Sequence, residues 1–407
     1  MIDNPAKALW AGRTLALLGI ILVAANLRTA VAALSPIVSD ITVDVPLSSS
    51  AVGVLGMLPP ICFAVFGIFT PRFTRKFGLE SVLIVSLIAI GLGHLIRGTS
   101  GSLAVLLIGS VVTFAGLGAG NVLLPPLVKK YFPDRVGLIT SLYATVLSFS
   151  TLVPPLVAVP VAESAGWRVS LGMWSVLALI ALVPWITMIM RHRTSSVPTP
   201  TADDAEPRVL GNIWRSSIAW AIAIVFAASA LNAYAMFAWL PQLLMQTADV
   251  TPAQAGLLLS LYAAMGTPCA LIIPILTSRM RNVGILVYVG AVCFVLGYLG
   301  LILVPATLTW LWVVLAGLGP LLFPLVLVLI NLRTRTHDGS VALSGFAQSV
   351  GYSIGALGPL VVALLHEVTG GWTWPLIFLI VTALVVAIAG AIISRPHMLE
   401  DELHIPT

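Results

Sequence analysis

The chain has 407 residues, of which 59% are hydrophobic and 9% are charged. Soluble domains carry about 25% charged residues, so a water-soluble fold could not bury this much apolar surface. The composition excludes an ordinary soluble protein and indicates a polypeptide whose solvent is largely membrane lipid. The net charge of +5 is compatible with a nucleic-acid partner, but the placement of the basic residues, described below, accounts for it without one.

Twelve apolar runs are long enough to cross a bilayer, whose hydrocarbon core of about 30 Å needs roughly 20 residues per helix. Each run is predicted to be helical, because an isolated strand leaves its backbone groups unsatisfied in lipid. The predicted helices 1 to 12 span residues 13–36, 51–71, 79–97, 103–127, 137–161, 168–190, 215–241, 254–278, 283–304, 308–331, 340–366 and 373–394.

One polar stretch, rich in Ser, Thr and Pro, separates helix 6 from helix 7. Such a composition favours a flexible connection over a packed element. The sequence therefore predicts a six-helix domain at 1–190, a cytoplasmic linker at 191–212 and a second six-helix domain at 213–407.

Most of the 20 lysines and arginines fall in segments that an alternating chain places on one side of the membrane. Arg97 and Arg168 fall on the other side, and Arg28 lies within helix 1. Cytoplasmic segments of membrane proteins carry an excess of Lys and Arg. The pattern predicts a multi-pass protein of the cell inner membrane with both termini in the cytoplasm.

Four motifs recur in the same order in the two halves of the chain. The matched pairs are Asn26 before Ser35-Pro36 with Asn232 before Leu240-Pro241, Gly53 and Pro71 with Gly256 and Pro274, Gly116-Leu-Gly118 with Gly317-Leu-Gly319, and Gly166-Trp167 with Gly371-Trp372. Parallel six-helix repeats imply a pseudo-two-fold axis along the membrane normal and a binding site between the halves near the midplane.

The whole chain resembles the major facilitator superfamily and, within it, the cyanate permease / 2-nitroimidazole transporter (CynX/NimT) family. The motifs that carry the resemblance are Asn26-Leu27-Arg28, Asn121-Val-Leu-Leu-Pro125, Gly166-Trp167-Arg168, Trp239-Leu-Pro241, Gly351-Tyr352 and Gly358-Pro359. The resemblance implies an all-α membrane protein of twelve transmembrane helices in two pseudo-symmetric six-helix bundles, and a monomer in which helices 1, 4, 7 and 10 line a central cavity. Thr29 stands where many relatives have proline, which predicts a weaker kink in helix 1.

Arg28 is the first candidate for solute binding. A charge in the middle of a membrane helix costs about 2.5–3.5 kcal/mol, and no carboxylate is predicted at comparable depth. Its planar guanidinium suits an anionic or strongly hydrogen-bond-accepting solute, which it grips with two donors. The alternative is that Arg28 bonds backbone carbonyls or asparagine side chains as a strut between helices.

Further polar and aromatic side chains in helices 1, 4, 5, 7, 8 and 11 are candidates to complete the site. Amides and tyrosines hydrogen-bond polar solutes, but both also bond between helices, and aromatic residues pack or anchor at the interface. The substrate-binding candidates besides Arg28 are Asn26, Asn121, Tyr143, Asn232, Tyr234, Trp239, Tyr262, Gln348 and Tyr352.

The sequence contains no phosphate-binding GxxxxGK[ST] loop, no paired carboxylates and no Ser/His/Asp set at one depth. We therefore expect neither an enzyme nor a bound cofactor or metal. The leading interpretation is secondary active or facilitative transport of a small polar or anionic organic solute by alternating access. Cyanate- or nitroimidazole-like solutes are what the resemblance implies. The alternative is a multidrug efflux pump for apolar or cationic compounds.

Overall fold

The computed structural model describes residues 13–192, 213–280, 282–395 and 397–403. In this part of the chain twelve helices are long and apolar enough to span a membrane, and no strand is present. The prediction of an all-α membrane protein with twelve spans is confirmed. Helices 1 to 12 comprise Thr14–Asp44, Ser49–Thr74, Leu79–Gly98, Leu103–Tyr131, Leu138–Ala165, Trp167–Met190, Ser217–Thr247, Pro252–Thr277, Gly284–Leu303, Thr309–Leu332, Ala342–Thr369 and Thr373–Ile393.

The predicted linker falls mostly outside the described residues, since residues 193–212 are not among them. Its first two positions belong to the end of the helical segment Trp174–His192. Six spans precede this region and six follow it.

Helices 1 and 7 continue past the prolines that were predicted to end them. Helix 1 forms a 3-10 turn at Ser35–Ile37 and then runs on to Asp44. Helix 7 contains Pro241 in its interior and ends at Thr247. A proline is tolerated in the first turn of a helical segment, and a membrane helix continues through proline where neighbouring helices satisfy its backbone.

Helix 1 is interrupted at Leu27 and Arg28, between the segments Thr14–Asn26 and Thr29–Ala32, although it has no proline there. That its kink is weaker than in relatives with proline stays a prediction. The hydroxyl of Thr29 donates a hydrogen bond of 2.9 Å to the Asn26 carbonyl. A threonine hydroxyl that takes a backbone carbonyl competes with the helical ladder. Thr29 thus favours an interruption of the helix by competing for a backbone carbonyl, whereas proline does so by removing a backbone N–H.

The two halves are related by equivalent hydrogen bonds. Asn26 in helix 1 donates to Leu177 O of helix 6 at 3.4 Å, and Asn232 in helix 7 donates to Thr382 Oγ1 of helix 12 at 3.0 Å. Each amide also donates to the carbonyl four residues before it, at 2.8 Å. The internal repeat predicted from sequence is therefore a repeat of structure.

A second pair of contacts shows the same relation at the ends of these helices. Trp167 Nε1, at the start of helix 6, donates to Asp44 at 2.9 Å. Trp372 Nε1, next to helix 12, donates to Gln246 at 2.7 Å. Asp44 and Gln246 lie at the ends of helices 1 and 7. The paired Gly-Trp motifs thus fasten the last helix of each half to its first.

Basic residues gather at one end of the bundle, here called the basic end. It is defined by the turns that carry Arg72, Lys76, Lys129, Lys130, Arg135, Arg279, Arg333 and Arg335. The opposite end carries Asp44, Glu163, Asp249 and Glu367.

The halves pack closely at the opposite end and diverge toward the basic end. The first part of helix 8, Pro252–Ala264, packs along helix 5, whereas its second part, Gly266–Arg279, turns away from it. Gly53 in helix 2 faces helix 11 so closely that an added Cβ would lie 2.7 Å from Ala363 Cβ. At the pseudo-equivalent crossing, an added Cβ on Gly256 would lie 2.7 Å from the Pro155 carbonyl oxygen. Only glycine permits such close backbone approach.

Candidate solute-binding site

Arg28 lies at the interruption of helix 1, half-buried between the two halves. Its Cζ is 5.3 Å from the centroid of the Phe63 ring in helix 2, a distance at which a cation is attracted to the ring face. Nη1 is buried without a hydrogen-bond partner, and no described carboxylate forms a salt bridge with the guanidinium. The alternative role of Arg28, a strut between helices, would require hydrogen bonds from its guanidinium to backbone carbonyls or asparagine side chains.

Two tyrosines from the second half of the chain lie near Arg28. Tyr234 in helix 7 and Tyr352 in helix 11 are close enough for electrostatic interaction with its guanidinium. The Tyr352 ring stands edge-on to Phe63 at 6.4 Å and to Phe226 at 5.0 Å between centroids. Helices 1, 2, 7 and 11 thus bring a cation, two phenols and an aromatic wall to one place.

Gln348 lies one helical turn before Tyr352, on the same face of helix 11. Its Nε2 donates to Ser344 Oγ at 2.7 Å. The amide oxygen takes no part in that hydrogen bond. Asn121 in helix 4 and Tyr143 in helix 5 are half-buried. Asn121 donates to the Leu117 carbonyl of its own helix at 3.0 Å, and Tyr143 packs against the core of the first half.

Four of the candidates lie in packed regions away from the Arg28 cluster. Asn26 and Asn232 are fully buried and bond helices 6 and 12, as described above. Trp239 donates to the Pro359 carbonyl at 2.8 Å and packs on Trp372. Tyr262 is 2% exposed and stands edge-on to Phe237 at 5.5 Å. The contacts of Asn26, Asn232 and Trp239 are those of struts between helices, whereas the buried Tyr262 hydroxyl has no hydrogen-bond partner.

Arg97 is a polar residue whose placement the sequence did not reveal. The hydropathy pattern put it at the water-facing end of helix 3, but the side chain is 1% exposed. It lines a small cavity of about 30 Å³ that Tyr234 also lines. No spacing rule distinguishes an arginine that points inward at a helix end from one that points to water, so the sequence carried no signal for it.

Comparison with known proteins identifies the class. The Major Facilitator Superfamily model matches residues 16–356, and the chain belongs to that superfamily. Its members are transporters, and this protein is a multi-pass membrane transporter of a small solute.

Curated relatives narrow the assignment. The chain is 33% identical over 376 residues to the uncharacterized transporter YycB of Bacillus subtilis, covering 91% of each chain. It is 31% identical over 386 residues to the 2-nitroimidazole transporter of Escherichia coli, covering 94% of this chain and 96% of the relative. The cyanate transport protein CynX of Escherichia coli is 24% identical over 368 residues, or 88% of this chain and 91% of the relative. Within the superfamily the chain is thus of the CynX/NimT type.

Solved structures share the fold. The nucleoside transporter NupG superposes with a TM-score of 0.76 at 12% identity, over 94% of this chain and all of that one. An inward-facing, occupied bacterial homologue of the human lysosomal transporter Spinster superposes with a TM-score of 0.73 at 14% identity, over 96% of this chain and 98% of that one. At these identities the likeness concerns the fold alone.

Proposed function

We propose that the protein carries a small polar or anionic organic solute by secondary active or facilitative transport, with Arg28 as its anchor. The observation that supports this most directly is the arginine itself. A half-buried guanidinium without a described carboxylate partner lies near two phenols from the other half of the chain. A buried cation of this kind is stabilised by an anionic or electron-rich group that accepts two parallel hydrogen bonds.

The distribution of the site over both halves explains how binding leads to transport. Arg28 and Phe63 belong to the first half, whereas Tyr234 and Tyr352 belong to the second. A solute that contacts both sets draws the halves together on the side where they diverge. Rocking of two bundles about a site at their interface is the usual form of alternating access.

Cyanate- or nitroimidazole-like solutes fit this site by their chemistry. The names of two relatives refer to cyanate and to 2-nitroimidazole. A cyanate ion and a nitro group both present strong acceptors to a guanidinium. Efflux of cationic drugs is not favoured, because the described acidic residues lie at helix ends and the site presents a positive charge.

The membrane arrangement follows from the basic end. We infer an inner-membrane monomer with the basic end and both termini in the cytoplasm, because cytoplasmic segments are enriched in Lys and Arg. The conformation described above is then open to the cytoplasm and closed to the outside. The segment 191–212 acts as a cytoplasmic linker between the domains 1–190 and 213–407, and transport needs no cofactor or metal.

A thermal-stability screen of the purified protein tests the proposal. Small organic anions, nitroimidazoles and cationic drugs are compared in the wild type, in Arg28→Gln and in Arg215→Gln. Arg215 is exposed beside helix 7, so its variant loses the same charge at a distance from the site. We expect an anion or nitroimidazole to raise the unfolding midpoint of the wild type and of Arg215→Gln, but not of Arg28→Gln.

Uptake into vesicles that contain the same three proteins extends the test from binding to transport. The stabilising solute is expected to enter with wild-type protein and Arg215→Gln, and to enter at the background rate with Arg28→Gln. Stabilisation by cationic drugs alone, equal in all three proteins, overturns the assignment of Arg28 and restores the efflux interpretation.

A further inference from the structure

Arg97 is a buried cation that the proposed transport site does not use. It lies in the last turn of helix 3 with 1% of its surface exposed. An ionised side chain in this environment carries a large desolvation cost unless an opposite charge or several acceptors surround it. The contacts of its guanidinium therefore indicate what the region binds.

Those contacts leave the arginine without an acceptor. Nε and Nη1 are buried and form no hydrogen bond, and no described carboxylate forms a salt bridge with the group. Cζ is 5.8 Å from the centroid of the Phe114 ring. His94, one turn earlier, directs Nδ1 to the Leu171 carbonyl at 3.2 Å, and therefore turns toward helix 6. A ring face contributes only part of what a desolvated cation needs.

Two serine hydroxyls share the cavity with Arg97. Ser35 of helix 1 is 4% exposed and Ser110 of helix 4 is fully buried, and neither hydroxyl oxygen has a hydrogen-bond partner. Each hydroxyl has a proton to donate. The cavity of about 30 Å³ accommodates a molecule of only a few heavy atoms. The rest of the lining is mostly apolar, so Arg97, the two serines and Tyr234 supply the polar groups beside a very small space.

The packing around Arg97 is built to hold the side chain in this position. At Gly109 of helix 4 an added Cβ would lie 2.9 Å from the Arg97 backbone nitrogen and 3.0 Å from its Cγ. Helix 4 thus has no side chain where the stem of the arginine passes. The guanidinium is directed by this contact into the cavity and away from water.

We propose that Arg97, Ser35 and Ser110 form a binding site for a compact monovalent anion at this small cavity. A guanidinium presents two parallel donors along each of its open edges, Nε with Nη2 or Nη1 with Nη2, the geometry that a planar anion accepts. The serine hydroxyls complete the shell from helices 1 and 4. A water molecule would satisfy some of these donors but would leave the charge uncompensated.

The site adjoins the pathway at Arg28 without coinciding with it. Tyr234 lies near Arg28 and also lines the Arg97 cavity. Ser35 lies seven residues beyond Arg28 in helix 1, a rise of about 10 Å in helical geometry. The bound anion is therefore either a free ion or the anionic group of the solute that Arg28 holds. The Arg97 site goes beyond the proposed function, because its evidence does not depend on Arg28 binding a solute.

The test measures how compact anions stabilise the purified full-length protein. Sodium cyanate, nitrite and chloride are titrated against sodium gluconate at equal ionic strength, because gluconate is too large for the cavity. The unfolding midpoint and calorimetric titration report binding in the wild type, Arg97→Gln, the double variant Ser35→Ala/Ser110→Ala, and Arg168→Gln. Arg168 is an exposed arginine at the same end, paired with Asp44 at 2.6 Å, and serves as the charge-matched control.

We expect saturable stabilisation by at least one compact anion in the wild type and in Arg168→Gln. Loss of hydrogen bonds to a charged group weakens binding roughly tenfold or more, so the double serine variant is expected to bind at least about tenfold more weakly. Arg97→Gln is expected to lose binding altogether. Equal anion affinity in the wild type and the double variant overturns the proposal, and this holds even where Arg97→Gln fails to fold.

Arg28→Gln separates the two sources of the anion. If inorganic anions still bind to this variant while Arg97→Gln has lost them, the site takes a free ion. If both variants lose binding with unchanged unfolding midpoints in gluconate, anion binding also requires the charge of Arg28, and the site serves the anionic group of the transported solute. If neither variant changes the affinity, the Arg97 site is refuted, while the transport proposal is judged separately by its own solute screen.

Discussion

Ser50 of helix 2 donates two hydrogen bonds to the carboxylate of Glu367 on helix 11, from its backbone nitrogen at 2.9 Å and from its hydroxyl at 2.6 Å. The carboxylate thus caps the first turn of a helix from the other half of the chain. Negative charge is favourable at a helix N-terminus, where backbone N–H groups are unpaired. Ser260 Oγ, which donates to the Leu152 carbonyl at 3.0 Å, joins the halves on the same side. These contacts hold the opposite end closed.

Glu367→Gln is expected to open this end. The variant keeps an acceptor but loses the charge that strengthens both bonds from Ser50. Spin labels at Val43 and Leu303, which are exposed at this end in different halves, report the separation in a background with the three cysteines replaced. We expect a second, longer distance in the variant. Glu163→Gln, an exposed carboxylate at the same end, is the control and should keep the wild-type distribution.

Gly53→Ala is expected to disturb the same crossing by overpacking. The new Cβ would lie 2.7 Å from Ala363 Cβ and 3.1 Å from the Pro359 carbonyl oxygen, and overpacking of this kind costs about 1–3 kcal/mol. Gly67→Ala in the same helix meets nothing within 4 Å, and the better helix propensity of alanine favours it by up to about 1 kcal/mol. Unfolding midpoints should therefore move in opposite directions. If both variants shift the unfolding midpoint in the same direction, the close packing of Gly53 against helix 11 does not limit the side chain at that position.

Tyr352→Phe is expected to weaken solute binding while leaving stability nearly unchanged. Tyr352 lies near Arg28, and its ring packing on Phe226 and Phe63 survives removal of the hydroxyl. A net hydrogen bond contributes about 0.5–1.5 kcal/mol, which corresponds to an affinity roughly 2- to 12-fold lower. Calorimetric titration with the solute found in the stability screen measures the effect.

Trp239→Phe is the contrasting variant. It removes the indole donor to the Pro359 carbonyl, and the loss of such a hydrogen bond costs about 0.5–1.5 kcal/mol. We expect a lower unfolding midpoint with unchanged solute affinity per folded molecule. A loss of affinity equal to that of Tyr352→Phe would restore Trp239 to the binding site that its sequence position suggested.

The sequence predicted the number of helices and their repeat because these depend on local signals. The length of an apolar run is sufficient to recognise a membrane-spanning helix. Asn26 and Asn232 mark equivalent positions of the repeat in the sequence, without knowledge of their contacts. The direction in which each side chain points is not local. Both asparagines turn toward the outer helices of their halves. Arg28 follows Asn26 by two residues, about 200° further round a helix, and lies on the side of helix 1 that is near the other half. The break in helix 1 lies beside a hydrogen bond from the Thr29 hydroxyl to the Asn26 carbonyl, which no hydropathy pattern records.

The short C-terminal helix Leu399–Leu403 fastens two helices of the second half at the basic end. Glu400 Oε1 accepts from the backbone nitrogens of Arg335 and Thr336, both at 3.0 Å. Glu402 accepts from the hydroxyls of Ser216 and Ser217 at 2.7 and 2.6 Å. The first carboxylate caps the segment that begins helix 11, and the second caps helix 7. Both helices contribute tyrosines to the Arg28 site, so this clamp supports the site from a distance.

The clamp predicts that the free energy of unfolding decreases as the pH falls below the ordinary pKa of a glutamate. Burial alone would raise the pKa of Glu400, but hydrogen bonds from the backbone of Thr336 and Arg335 hold that pKa below its ordinary value of 4.5. A carboxylate whose pKa is lowered by folding contributes stability at pH values above its unfolded pKa, and this stability is lost as the pH falls through its folded pKa.

We expect Glu400→Gln to be less stable than the wild type at neutral pH, by about 1 kcal/mol after allowance for solvent screening. The difference in unfolding midpoint should shrink below pH 4.5 and vanish once the wild-type carboxylate is protonated. Glu163→Gln, measured across the same pH range, is the control, and a Glu400→Gln difference that stays constant with pH would mean that the charge of Glu400 does not stabilise the clamp.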